Sequence, residues 1–243
     1  MLLGCLSLYA ADNDLITRQI TITLEKAGTL PDRIASSKKN KITNLKIIGE
    51  INGTDLRMIR EMAGSNSNGN STDGKLSVLD LSEAKIVKGG DCYLNNGYDY
   101  TSNDVIGSRA FLGCSGLTSL TLPADITSIG DEAFQGCSGL TFIYVYAEKV
   151  PKIDSNAFKG VDAKKCTVYV PMGTRDDYCA SDFGDYFENI VEFEATGIDK
   201  TTTSTDVEEV VRYSVNGQRL SAPTKGLNIV KYSDGSVKKV AVR

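Results

Sequence analysis

From Ile42 to Pro171 the apolar side chains come in short bursts, and the bursts repeat. "IGSRAFLGCSGLTSLTLP" (Ile106–Pro123) is followed, offset by 23 residues, by "IGDEAFQGCSGLTFIYVY" (Ile129–Tyr146). Aligned, Ile106 falls on Ile129, Phe111 on Phe134, Cys114 on Cys137, Leu117 on Leu140, Leu120 on Ile143 and Leu122 on Val145. The apolar positions are held and most polar ones drift. A third copy begins at Ile153, with Phe158 24 residues after Phe134, and its Val168, Val170 and Pro171 match Leu120, Leu122 and Pro123. Weaker copies lie upstream, with Leu76, Leu79 and Leu81 in one and Ile42, Leu45 and Ile47 in the other. Alternating apolar residues at the end of each copy predict a short strand with one inward face. A single turn cannot bury that face. Stacked turns can, because they share one core and one parallel sheet. The "IGxxAF" segment is expected on the opposite wall, with Ala and Phe inward, and the two glycines of "GCSGL" at the corner leading into the strand.

A period of roughly 20–29 residues with L-x-x-L-x-L spacing is the mark of a leucine-rich repeat. The expected fold is therefore an α/β solenoid of about five turns, with a parallel sheet on its concave face and a small C-terminal β module. Between the two weaker copies, "GTDLRMIREMAG" places Leu56, Ile59 and Met62 at helical spacing. It predicts a convex-side helix with Thr54 or Asp55 as N-cap and Gly64 as terminator. "RQITITLEKAGTLPDRI" is expected to cap the open end of the core. Gly64–Gly74 and Gly89–Asp104 read as polar loops, the second bearing Gly and Tyr.

Residues 106–171 closely resemble the BspA-like leucine-rich repeat surface proteins of Bacteroides-group bacteria, and residues 42–105 do so more loosely. "VPMGTRDDYCASDFGDYFENIVEF" (Val170–Phe193) resembles that family's terminal element. The resemblance implies a secreted or outer-surface protein with a role in adhesion or protein binding. It does not carry a ligand with it.

Two segments flank the repeats. "MLLGCLSLYAA" (residues 1–11) reads as a secretory signal or its remnant, cut after Ala10 or Ala11. Within it, "LLGC" makes Cys5 a candidate lipid anchor, the alternative being an apolar signal residue. The expected division is residues 1–11, then 12–195 for the repeat domain with its cap and terminal element, then 196–243 for a linker and β-rich module. The last boundary also follows a charge shift. Residues 1–195 carry 19 basic and 26 acidic side chains, a net of −7, and residues 196–243 carry 8 and 5, a net of +3. "RYSVNGQRL" and "KGLNIVKYSDGSVKKVAVR" read as strands with Asn-Gly and Asp-Gly turns. They resemble small C-terminal modules of Bacteroidetes secreted proteins, including the type IX sorting domain, with Gly217, Lys225 and Gly226 at matching places. A sorting signal and an ordinary β module both remain open.

Composition narrows the function. With no His in the chain, the commonest general base and the commonest zinc ligand are missing. No nucleophile elbow, phosphate loop or dinucleotide fingerprint occurs. An enzyme, a cofactor and a metal site are not expected. A net charge of −4 gives no nucleic-acid footprint, and no segment approaches a membrane span. Asp131–Glu132, Asp176–Asp177 and Glu208–Glu209 read as solvated carboxylates. Cys114 and Cys137 should stack as small apolar core residues. An oxidising compartment leaves a Cys166–Cys179 bond open.

The candidate site is the exposed side of the strands. If Leu120, Ile143 and Val168 point in, one outward column reads Lys46, Asp80, Thr121, Tyr144, Tyr169 and the next Asn44, Val78, Ser119, Phe142, Thr167. Tyr146 extends the strand of Tyr144. Phe142, Tyr144, Tyr146 and Tyr169 should then cluster as an exposed aromatic patch, a candidate ligand-binding surface for a protein or glycan. The expected function is a surface binding protein that recognises a host or bacterial surface protein, or a glycan, through this face. A structural spacer with no ligand is the other reading.

Overall fold

The computed structural model describes residues 15–193 and, beyond them, 209–214, 219–220, 222, 226–232 and 237–242. The signal reading of residues 1–11, with Cys5, and the linker reading from residue 196 to 208 lie outside these. The chain divides into two compact units at Thr196/Gly197.

In chain order the first unit contains β1 (Ile20–Leu24), α1 (Leu30–Arg33), α2 (Ser36–Lys39), β2 (Asn44–Ile51) and α3 (Gly53–Met62). It continues with β3 (Val78–Ile86), β4 (Val105–Ile106), β5 (Ser119–Leu122), β6 (Ser128–Ile129) and β7 (Phe142–Val145). It ends with β8 (Lys152–Ile153), β9 (Thr167–Pro171), α4 (Arg175–Cys179), α5 (Asp182–Tyr186) and β10 (Asn189–Phe193). The second unit holds β11 (Glu209–Ser214), β12 (Arg219–Leu220), β13 (Gly226–Tyr232) and β14 (Val237–Val242). These four form an antiparallel sheet in the order β12-β11-β13-β14.

The repeats stack as their periodicity requires. A seven-stranded sheet runs β1-β2-β3-β5-β7-β9-β10, every pair parallel. A second parallel sheet, β4-β6-β8, pairs Ile106 with Ile129 and Ile129 with Ile153. Leu120, Leu122, Ile143, Val145, Val168 and Val170 are all fully buried. Phe111, Phe134 and Phe158 form a continuous stack, with centroids 5.3 and 5.1 Å apart and planes within 9°. Phe158 then meets Phe187 edge-on at 4.9 Å, so the terminal helices close the stack.

The corners have a shared backbone solution. Gly113, Gly136 and Gly160 take φ of +73°, +75° and +86°, a region that L side chains avoid. Four residues earlier in the same turns, Arg109, Glu132 and Asn156 sit at equivalent places with φ of 59°, 55° and 63°. Neighbouring turns bond there through the main chain: Phe111 N–H donates to the Ala133 carbonyl and Phe134 N–H to that of Ala157, both at 2.7 Å.

The expected N-cap of α3, Thr54 or Asp55, needs correction, and the sheet extends beyond the repeats. The five expected turns supply β2, β3, β5, β7 and β9, and both flanking segments add a strand each to make seven. "ITITL" is itself the edge strand β1, burying Ile22 and Leu24, and "NIVEF" is β10, burying Ile190. The N-cap of α3 is Asn52, whose side chain accepts from Thr54 N–H at 3.0 Å. Asp55 is the N3 partner, reaching back to Asn52 N–H at 2.9 Å and also taking Gly28 N–H (2.6 Å) and Leu30 N–H (2.9 Å). It thus completes a capping box and ties down the α1 strap. Cys166 and Cys179 are both free, because Cys166 is buried ahead of β9 while Cys179 is exposed on α4. Gly64, at φ +103°, does end α3. Ser65 N–H returns to the Arg60 carbonyl at 3.0 Å in a Schellman closure.

Arg60 is the one buried cation among the described residues. It donates to the carbonyls of Ala110 (2.9 Å), Arg109 (3.0 Å), Leu112 (3.2 Å) and Asn66 (3.3 Å) and to Ser65 Oγ (3.2 Å). It stitches α3 to the first helix-free turn. Burial lowers its pKa from the usual guanidinium value.

Candidate functional site

The outward face of the seven-stranded sheet is set by strand register. Lys46 pairs with Asp80, Asp80 with Thr121, Thr121 with Tyr144 and Tyr144 with Tyr169. The adjacent column runs Asn44, Val78, Ser119, Phe142 and Thr167. Both columns continue onto β10, through Val191 and Asn189.

The two ends of the face differ in chemistry. At the β2–β3 end, Lys46 Nζ lies 2.6 Å from a Glu83 carboxylate oxygen and 3.4 Å from Asp80. A register shift in β3 brings Glu83 to this place. The Glu83 hydrogen bond outweighs the cost of burial and raises the Lys46 pKa. These charges satisfy one another.

At the β7–β10 end the face is aromatic. Tyr144 and Tyr169 stack at 4.5 Å with planes 9° apart, and Phe142 leans on Tyr169 at 6.3 Å. Phe193 meets Tyr144 at 5.8 Å and 89°, and Tyr146 at 4.9 Å and 76°. The structure therefore brings Phe142, Tyr144, Tyr146 and Tyr169 into one chain of ring contacts and adds Phe193. Phe193 was hidden in sequence because its segment reads as a terminal element. The alternation in "NIVEF", with Ile190 inward, was the available signal. Burial raises the Tyr144 and Tyr146 pKa values, with smaller contributions from Tyr169 and from the Asp80 charge respectively.

The ring geometry limits what this patch can do. Neighbouring strands lie about 4.8 Å apart, so in-register rings stacked at that spacing turn their faces on each other. Tyr144 and Tyr169 accordingly offer ring edges and hydroxyls outward, while Phe142 is 43% exposed. No group of His, Cys, Asp or Glu able to hold a metal occurs among the described residues. No helix among them is long and apolar enough to cross a membrane. A separate cleft of about 500 Å³ between α2 and α3 is lined by Ile34, Lys39, Arg57, Met58 and Glu61. Its Lys39 is held by Glu61 at 2.7 Å.

Stacked parallel strands, the inward Leu/Ile/Val ladder and the 23-residue period together define a leucine-rich repeat solenoid. Residues 100–213 match the family model described as BspA type leucine rich repeat region, in six copies. This agrees with the resemblance carried by residues 106–171. No curated protein matches the chain.

Proposed function

We propose that this is a non-catalytic binding protein, secreted or displayed on the outer cell surface, that recognises a protein or glycan ligand through the outward sheet face. The aromatic chain Phe142–Tyr169–Tyr144–Phe193–Tyr146 carries the reading. Its rings are held by one another on a rigid sheet, so little conformational freedom is lost on contact. Tyr combines a large apolar body with a polar handle, as binding surfaces require. Because edges and hydroxyls face outward, the patch favours a polypeptide of a host or bacterial surface protein over a sugar lying flat. The match to BspA-type repeats supports surface display.

The test is a screen of the chain against extracellular matrix proteins and a glycan array, beside a Tyr144→Ala/Tyr169→Ala variant of unchanged melting temperature. Binding lost in the variant is the expected result. Binding retained by it moves the site elsewhere on the molecule. No binding by either protein favours the spacer reading, to which the self-satisfied Lys46–Asp80–Glu83 end of the face already lends itself.

A further inference from the structure

Two loops outside the sheet face are joined into one surface. Asn95 N–H donates to the Ser67 carbonyl at 2.8 Å, and Asn95 Nδ2 donates to Asn68 Oδ1 at 2.7 Å. Asn66 Oδ1 accepts from Asn68 N–H (2.9 Å) and Asn70 N–H (3.0 Å). Asn96 Oδ1 accepts from Tyr98 N–H at 2.9 Å. The second loop is anchored from below. Tyr93 is buried and donates to the Ser108 carbonyl at 2.7 Å, buried Asp99 lies 3.1 Å from Arg109, and Thr101 Oγ donates to the Val87 carbonyl at 2.8 Å.

Between these anchors Tyr98 is 85% exposed, and Tyr100 is 50% exposed. Neither ring stacks on another among the described residues. Asn68, Asn70, Asn95 and Asn96 are exposed on the same two joined loops. No charged side chain occurs from Ser65 to Thr72 or from Cys92 to Tyr98. A single exposed ring is ordinary on a protein surface; here two, Tyr98 and Tyr100, stand two residues apart on a loop anchored on both sides.

We propose that these joined loops, with Tyr98 as their aromatic anchor, form a second binding surface that takes a neutral glycan. A sugar presents a C–H face and a rim of hydroxyls that both donate and accept. The free faces of Tyr98 suit the first, as the mutually covered rings of Tyr144 and Tyr169 do not. Side-chain amides suit the second: those of Asn95 and Asn96 are held in place by bonds within the loops, and the Asn68 Nδ2 and the whole Asn70 side-chain amide keep donors and an acceptor unpaired among the described residues. The two uncharged stretches meet charge only at their edges, where Arg57 donates to Asn95 Oδ1 and Asp99 accepts from Asn96 Nδ2 while paired with Arg109, so an ionic polymer finds no cluster of one sign to pair with. Anchoring the loop in advance lowers the cost of ordering it on contact.

The test is calorimetric titration of the full chain with soluble β-glucan, xylan and mannan, and with heparin as a charged comparison. A neutral polysaccharide is expected to bind. Tyr98→Ala should weaken it about tenfold or more, on the scale of losing one aromatic anchor. Tyr98→Phe should retain most of the affinity, and Tyr144→Ala/Tyr169→Ala all of it. Unchanged melting temperatures control for folding. Failure of all three neutral polymers, preference for heparin, or loss of binding only in the sheet variant each overturns the proposal. The last outcome would leave the sheet-face reading standing, and loss only in Tyr98→Ala leaves that reading to its own protein screen.

Discussion

Phe134 shows at the scale of one residue how the repeat works. It is fully buried, and its two faces are covered by Phe111 and Phe158, so it belongs to three turns at once. Phe134→Ala should cost about 3–5 kcal/mol, read from urea unfolding. The buried thiols add a pH dependence. Burial pushes Cys114 up to about 12 and Cys166 up to about 12, and raises Cys137 as well. The folded state then holds protons that the unfolded chain releases above about pH 9. Stability is fully present below pH 9 and should fall between 9 and 12, by roughly 1.4 kcal/mol per pH unit for each such thiol. Thermal melts of Cys114→Ala should show a shallower alkaline decline than the parent. Residues that repeat were legible in sequence: Phe134, Cys137 and Ile143 announced themselves by recurring. Arg60 and Phe193 occur once each in their roles, and only the folded chain brings Arg60 to the carbonyls of Arg109 and Ala110.

At the scale of elements, α3 separates two kinds of cap. Asn52→Ala removes one bond to Thr54 N–H and should cost about 1 kcal/mol. Asp55→Ala strands three backbone donors, on Gly28, Leu30 and Asn52, and should cost several times as much. Chemical unfolding of both variants checks the order. The helix itself was readable from Leu56, Ile59 and Met62. Its cap was misread because Asp55 has the chemistry of a capping residue while standing three places inside. The edge strands were missed for a different reason. "ITITL" and "NIVEF" carry the two-residue alternation but not the repeat's glycines or its L-x-x-L-x-L spacing. The outward columns, by contrast, needed only the alternation and the matching of apolar positions between copies, whatever the length of the turn between them. Lys46 through Tyr169 could therefore be ordered from sequence, though the stacking of the rings could not.

For the whole molecule, stability is a sum over neighbours. A chain ending at Pro171 loses α4, α5 and β10 and uncovers Phe158, Val168 and Val170. It should aggregate or expose dye-binding apolar surface. A chain ending at Thr196, where the two compact units divide, should keep the melting transition of the repeat unit. Light scattering and calorimetry on the two truncations distinguish these outcomes.

The strand order has a mechanical consequence. Each strand of the main sheet follows its neighbour in the chain's own direction, and turns are bonded only to adjacent turns. Tension on the two ends of the unit therefore loads one strand at a time and peels it, instead of shearing the whole sheet together. A freed turn pays out chain in proportion to its length, from about 75 Å for the 23 residues between Leu120 and Ile143 to about 140 Å for the 41 between Leu79 and Leu120. Stretching in an optical trap should show a series of unequal steps within that range. Held at its two ends under load, the repeat unit would then lengthen by stages, giving way a turn at a time and re-forming when the pull relaxes.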